Sequence, residues 1–197
     1  MKDGIRSTFF HVGVNLSNRR EYGVDEPQVR DDGSISWVPL PNHKDPDLLG
    51  LTYGDPWGRL GGFAGGDIAW FIETGTRDGV DAGYYIVQFF VIEDVYRKRH
   101  GVWNKHISEI HKGRIAHNAH ELRGDRNYSI ILGDASKSRA LFQSPVRLTK
   151  GQDAYPEFKK MLGLSPDMAT TGYWFKRWFG DASTRALLKV VMRTPSI

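Results

Sequence analysis

Two apolar runs constrain this chain more than anything else in it. Tyr84-Tyr85-Ile86-Val87-Gln88-Phe89-Phe90-Val91-Ile92 is almost continuous in aromatic and β-branched residues, and Ile68-Ala69-Trp70-Phe71-Ile72 precedes it with the same character. Runs of that length and composition read as buried core strands. A Gly/Asp-rich connection from Gly75 to Gly83 joins them, which predicts a hairpin with a long loop. The fold therefore needs a sheet at its centre.

Further strands follow from the same signals. Residues 7–14 (Ser-Thr-Phe-Phe-His-Val-Gly-Val) are β-branched and aromatic, residues 34–38 alternate until Pro39-Leu40-Pro41 stops them, and Tyr128–Leu132 ends at Gly133-Asp134. Residues 96–126 are polar, basic and His-rich without a clean period, and predict a long loop with a short helix. Ser136 to Phe142 reads as a short helix capped by Ser136 or Ser138, and Pro156 to Leu162 as another. Ser183 to Arg193 is a closing helix, capped by Asp181 or Ser183, with Leu187, Leu188 and Val191 on one face. The expected class is α+β: a single domain over residues 1–197, with a mixed or antiparallel curved sheet flanked by helices.

Charge is distributed unevenly. Residues 1–95 hold 8 Lys+Arg against 15 Asp+Glu, whereas residues 96–197 hold 19 against 8, so nets of −7 and +11 hide inside a total of +4. The basic half also carries His100, His106, His111, His117 and His120. This is the footprint of a polyanion binder, or of charges that merely cluster. With no cysteine, thiolate nucleophiles, disulfides and Cys-based metal sites are excluded. No apolar run reaches membrane-spanning length and the start lacks a signal-peptide core, so the expected location is cytoplasmic, with no membrane partner. The absence of a P-loop, a Gly-x-Gly-x-x-Gly helix opening, a Gly-x-Ser-x-Gly elbow and a His-Glu-x-x-His pair argues against a nucleotide triphosphatase, a Rossmann dehydrogenase, an α/β-hydrolase and a zincin.

Several short patterns can carry chemistry. Thr52-Tyr-Gly-Asp55-Pro56 holds a carboxylate at a turn, where Asp55 can orient a water or stabilise a cationic sugar, although Gly-Asp-Pro is also an ordinary turn. His11-Val-Gly-Val-Asn15 closes the first strand with a His and an Asn, and His11 beside Phe9 and Phe10 can equally be a core residue. Asp67 before the strand at Ile68 reads as a cap of the strand entry. His117-Asn118-Ala119-His120 is the richest donor and acceptor cluster, suited to base edges and proton transfer. A metal site on His111, His117 and His120 is the weaker reading, because their spacing matches no known ligand set. In Tyr173–Phe179 the aromatic residues interleave with Lys176 and Arg177; helical spacing would pair Trp174 with Trp178 and Phe175 with Phe179 in a packed core.

In order, His11–Asn15, Asp32-Gly33 with the following strand and Val38–Pro41, Thr52–Pro56, Gly66-Asp67, Asn118–His120, and Gly133-Asp134 with Ser138-Arg139 resemble the nucleotide modification associated domain of the third type, over about residues 8–148. Residues from about 152 to 197 then form a helical extension. Two departures stand out: Asn42 occupies the place of an acidic residue after Pro41, and the aromatic-basic segment has no counterpart. The resemblance implies similarity to antiphage DNA glycosylases that excise glucosylated hydroxymethylcytosine.

Together these readings predict a monofunctional DNA glycosylase that flips out a bulky modified base in double-stranded DNA and leaves an abasic site. Asp55, Asn15 and His120 are the expected catalytic residues, and His11, Tyr53, Trp57 and Asn118 the expected base or sugar contacts. Arg114, Arg123, Arg126, Lys137 and Arg139 are expected to hold phosphates. No metal and no nucleotide cofactor is expected. A non-catalytic reader of modified bases is the alternative.

Overall fold

A computed structural model of the chain describes residues 4–11, 26–29, 35–38, 51–55, 59–75, 83–141, 145–150, 153–165 and 177–193. Its spine is one long strand, β6 (Gly83–Arg99). The first half of β6 pairs with β5 (Ile68–Gly75) on one side, and with β9 (Arg139–Ala140) and β10 (Val146–Arg147) on the other. Its second half pairs with β8 (Tyr128–Gly133), and its end turns back through His100-Gly101 into β7 (Val102–Trp103). β1 (Ser7–His11) adds to β5 in parallel, and β4 (Thr52–Asp55) adds to β8 antiparallel. The path is β1-β5-β6-β8-β4, an open mixed sheet. Two separate pairs complete the strands: β2 (Glu26–Val29) with β3 (Ile35–Val38), and β11 (Thr149–Lys150) with β12 (Asp153–Ala154). With α1 (Glu109–Ile115), α2 (Ala119–Leu122), α3 (Pro156–Met161) and α4 (Asp181–Arg193), the fold is α+β, as the sequence predicts.

A register shift at Ile92/Asp94 leaves Glu93 as the extra residue of a bulge, the device that bends a strand and increases its twist. The two halves of the sheet fold toward each other about this point. Their facing sides enclose an interior of Phe10, Tyr53, Phe63, Phe71, Phe90 and Ile131 with their neighbours. The curl is strong: β1 and β4 lie at opposite ends of the strand order, yet the Phe10 and Tyr53 ring centroids are 4.9 Å apart.

Each outer face has its own cover. Outside the first half, Phe9, Trp70, Ile86 and Phe89 pack with Phe158, Leu162, Leu187 and Val191 of the C-terminal segment. Outside the second half, Tyr96, Tyr128, Ile130 and Leu132 pack with Ile107 and Ile115. The C-terminal segment is tied to β1 by polar bonds as well. Ser7 and Phe179 exchange backbone hydrogen bonds of 3.0 and 2.8 Å, Ser7 Oγ lies 2.9 Å from Thr184 Oγ1, and Asp181 Oδ1 accepts from the Ile5 amide. Asp67 caps the entry to β5 by accepting from the amides of Arg6 and Ala64 and from the Arg6 guanidinium.

The structure departs from the sequence reading at three places. The basic stretch after Tyr96 begins as strand, because β6 continues to Arg99 and is followed by β7, α1 and α2. Lys98 hides the pattern: its stem is buried, and its ammonium sits 5.2 Å from the Trp103 ring and 2.7 Å from Glu121. The described part of the 136–142 segment, residues 136–141, opens no helix. Asp134 draws in Ser136 and Lys137 as a turn, Ser138 Oγ accepts from the Val91 amide, and the chain then pairs with β6 as β9. Phe179 lies on a bridge to Ser7 rather than on a helix, with its ring in the core, while the half-exposed Trp178 packs on Phe63 and under Arg6. Among the described residues no helix is long and apolar enough to cross a membrane.

If the C-terminal segment belongs to this core, Leu187→Ala should cost about 2–5 kcal/mol in urea unfolding, whereas Met192→Ala on the exposed face should stay within about 0.5 kcal/mol. Equal losses would detach α4 from the cooperative unit.

Candidate functional site

β4 and α2 bring the acidic and basic halves of the chain together. Along β4, Tyr53 points into the interior, so alternation puts Asp55 on the same side and Thr52 and Gly54 on the outer side. Asn118 and His120 pack against that outer side. Asn118 is the N-cap of α2: its Oδ1 accepts from the His120 amide at 3.0 Å, and its Nδ2 donates to Thr52 Oγ1 at 3.1 Å.

The His120 ring lies flat between two surfaces. On one side it stacks on Tyr128, with centroids 5.0 Å apart and planes 18° from parallel. On the other it occupies the space a side chain at position 54 would take. A Cβ on Gly54 would collide with the ring and stand 2.9 Å from Asn118 Oδ1 and 3.2 Å from His120 Nε2. Glycine at 54 is therefore a packing requirement.

Asp125 fixes the ring from its other end. Gly124, at φ +70°, ends α2 and turns the chain so that the Asp125 amide bonds the His120 carbonyl and the Asp125 carboxylate reaches His120 Nδ1 at 2.7 Å. That hydrogen bond, ahead of the Arg123 charge, holds the Asp125 carboxyl below its usual range against the partial burial that raises it. An ionised partner requires a proton on Nδ1, so in the neutral ring Nε2, turned toward Gly54, is the basic nitrogen. Behind Tyr128, its hydroxyl donates to Glu121 Oε2 at 2.5 Å, and Lys98 pairs with the same carboxylate. Burial and then the Glu121 bond push the Tyr128 phenol well above its usual range.

A second network grips the bend in β6. Arg114 donates to Glu93 Oε2 at 2.6 Å and to the Gly133 and Leu51 carbonyls, and His111 bridges Tyr96 Oη and Glu93 Oε1. Burial alone would raise the Glu93 carboxyl, but the bonds from Arg114 and His111 outweigh it and hold it down. Burial, followed by the nearby Asp94, pushes the Tyr96 phenol up to about 12.

Several sequence-predicted residues land elsewhere. Tyr53 is a core ring against Phe10 and Phe71, not a surface for a sugar. His11 falls on the helix-covered side of β1, where it meets Tyr84, so the fold does not bring it to His120. The Arg114 guanidinium is committed to the frame rather than presented to a phosphate, because its bonds close the junction of β4, β6 and β8. His111 and His120 belong to different networks, and among the described residues no three His, Asp or Glu are grouped to hold a metal ion. Arg123, Arg126, Lys137 and Arg139 are exposed, although Arg123 pairs with Asp125, Lys137 with Asp134, and Arg126 donates to the His100 carbonyl. They form two groups at the two ends of β8, roughly 20 Å apart for a strand rising about 3.3 Å per residue. Asn15 and Trp57 lie outside the described residues.

Asp125 was not anticipated from the sequence. Its signal is the run His120-Glu-Leu-Arg-Gly-Asp125, in which a glycine after one helical turn returns the next residue to the helix start. No family model, no curated protein and no solved structure matches this chain.

Two outcomes test this geometry. Gly54→Ala should destabilise the fold by about 1–3 kcal/mol, read from the urea midpoint, because the His120 ring has to leave its place. Asp125→Asn removes a carboxylate whose folded-state pKa is depressed, so its contribution is present above the ordinary Asp value of 3.8 and is lost below it. The advantage of the wild type over this variant should therefore be larger at about pH 6 than at about pH 3. An equal difference at both would remove the ion pair from the fold's energetics.

Proposed function

We propose that this chain is a monofunctional DNA glycosylase acting on a bulky modified base, of the glucosylated hydroxymethylcytosine kind, in defence against phage. One observation carries the reading: a histidine oriented by a carboxylate is locked against Gly54, and the next residue is Asp55 at the end of an edge strand. Asp55 and His120 lie on opposite faces of β4 and are 5% and 2% exposed, so on this reading a flipped nucleotide reaches them only once the edge of β4 opens.

The chemistry follows from those two groups. Breaking the bond from C1′ to the base nitrogen leaves the electron pair on the base and a developing oxocarbenium on the sugar. Asp55 stabilises that cation, orients a water toward C1′ and takes its proton. His120, carrying its second proton on Nε2, gives it to the departing base while Asp125 stabilises the imidazolium. Asn118, expected from the sequence to contact the base, has its amide engaged by Thr52 and by the His120 backbone, and on this reading it positions His120. Arg123 and Arg126 at one end of β8, with Lys137 and Arg139 at the other, span about six base pairs of a duplex at about 3.4 Å each. The resemblance of the order of short motifs to that of the nucleotide modification associated domain suggests the substrate class.

The burial of both Asp55 and His120 favours a second reading, in which the chain binds a modified base without cleaving it and neither group has to meet the sugar. The two readings separate on one assay. Incubation with DNA carrying glucosylated hydroxymethylcytosine, then heating in alkali, should give strand breaks at abasic sites and release the modified base, detected by mass spectrometry. Asp55→Asn and His120→Gln should each slow release by about 10²–10⁴-fold. Binding without release by the folded wild type on any modified DNA supports the reader and overturns the enzyme. Release at the wild-type rate by the Asp55 variant removes that carboxylate from the mechanism.

A further inference from the structure

Behind the His120 network, on the outer side of the second half-sheet, lies a cleft that the proposed reaction does not use. Its volume is about 440 Å³, within the range of small-molecule sites. The lining divides by chemistry. The half-buried Trp103 ring and the aliphatic groups of Ile107, Ile115 and Ala116 form an apolar slot, while His106 and Lys112 stand exposed at its mouth.

The polar groups of the cleft differ in how firmly they are held. Glu121 is bound by Lys98 and by the Tyr128 hydroxyl, so its charge is neutralised inside the wall. Lys105 is drawn toward Asp94 and the face of Tyr96. Lys112 pairs with Glu109 across one helical turn, but both side chains are exposed, and such a pair exchanges readily for a stronger anion. Residues 96–126 as a whole carry 8 Lys+Arg against 3 Asp+Glu, so the field at this mouth favours an anion.

An aromatic slot with a cationic rim fits a ligand that joins a flat ring to a phosphate. Base-on-aromatic stacking tolerates any base, and a phosphate satisfies the rim. We propose that this cleft is a nucleotide subsite: it takes one unpaired nucleotide of a DNA strand, with its base against Trp103 and its phosphate at His106 and Lys112. The proposal rests on the reading of the chain as a DNA-binding protein but not on base excision. Its ligand is any unpaired nucleotide, modified or not.

The test uses the intact chain, two probes (deoxycytidine monophosphate and a short oligo-deoxythymidine strand) and deoxycytidine as the control that lacks the phosphate. In nitrogen-15 spectra the Trp103 indole signal, assigned by its absence in Trp103→Phe, should shift on titration with either probe. Lys112→Gln should weaken binding of both at least several-fold, and Trp103→Leu should weaken the strand by about tenfold or more. Because Trp103 also packs on Tyr96 and Tyr128, its variant counts only if its thermal unfolding stays cooperative, and Lys112→Gln, at an exposed position, carries the test otherwise. An unmoved Trp103 signal overturns the proposal. So does deoxycytidine binding as tightly as its monophosphate, or a strand affinity unchanged in Lys112→Gln. Asp55→Asn should leave this binding intact, so loss of base release and loss of the subsite are distinguishable.

Discussion

The bend in β6 is the constraint on which the rest of the molecule depends. A strand of 17 residues would be roughly 55 Å long if straight, too long for a chain of this size to cover on both faces. The bulge at Glu93 divides it, turning one sheet into two halves that share an interior. Glu93 is also where the basic segment takes hold, through Arg114 and His111. Arg114 reaches further, to the carbonyls at the start of β4 and the end of β8. One guanidinium thus closes the corner at which β4, β6 and β8 meet, and β4 is the strand that presents Gly54 and Asp55. An Arg at such a corner is worth more to the frame than to a ligand, because its five donors satisfy groups that the bend would otherwise leave unpaired.

The elements legible in the sequence were those whose burial pattern is uniform along their length. β5, the first half of β6, and β8 are apolar on both faces, so composition alone identifies them, while α3 opens on Pro156 and α4 shows a one-sided stripe of Leu187, Leu188 and Val191. What was hidden is where one residue type does another's work. Lys98 occupies a core-facing position by burying its stem and pairing its head with Glu121, so the second half of β6 reads as a polar loop. The residues after β8 read as a helix because Ser136 and Ser138 are good caps. Here their hydroxyls serve a turn at Asp134 and a bond to the Val91 amide instead.

The candidate site was legible as a set of residue types but not as an arrangement. Short motifs reveal that a Gly-Asp and an Asn-x-His are present, whereas the face each occupies depends on strand alternation and on the bend. Those two facts separate His11 from His120 by the whole interior, sink Tyr53 into the core, and press His120 onto Gly54. Asp125 was missed because its partner is not a spatial neighbour until Gly124 turns the chain.

The uneven charge along the chain takes on a different meaning once the pairs are traced. Glu93 and Asp94 are the last carboxylates of the acidic half, and they are met by Arg114, His111 and Lys105 from the basic half. Part of the asymmetry is thus consumed at the bend, where the two halves of the chain are held together. Lys98 is consumed in the same way by Glu121. Among the exposed cations are those that precede and follow β8 and those at the mouth of the Trp103 cleft, and several of these keep carboxylate partners, Arg123 with Asp125, Lys137 with Asp134 and Lys112 with Glu109. On the proposed DNA-binding reading, the charge of residues 96–126 draws a polyanion to the outer side of the second half-sheet, the side that carries His120 and Glu121. Electrostatic attraction and the buried histidine therefore belong to one face of the molecule, and the edge of β4 is the place where that face gives way to the carboxylate of Asp55.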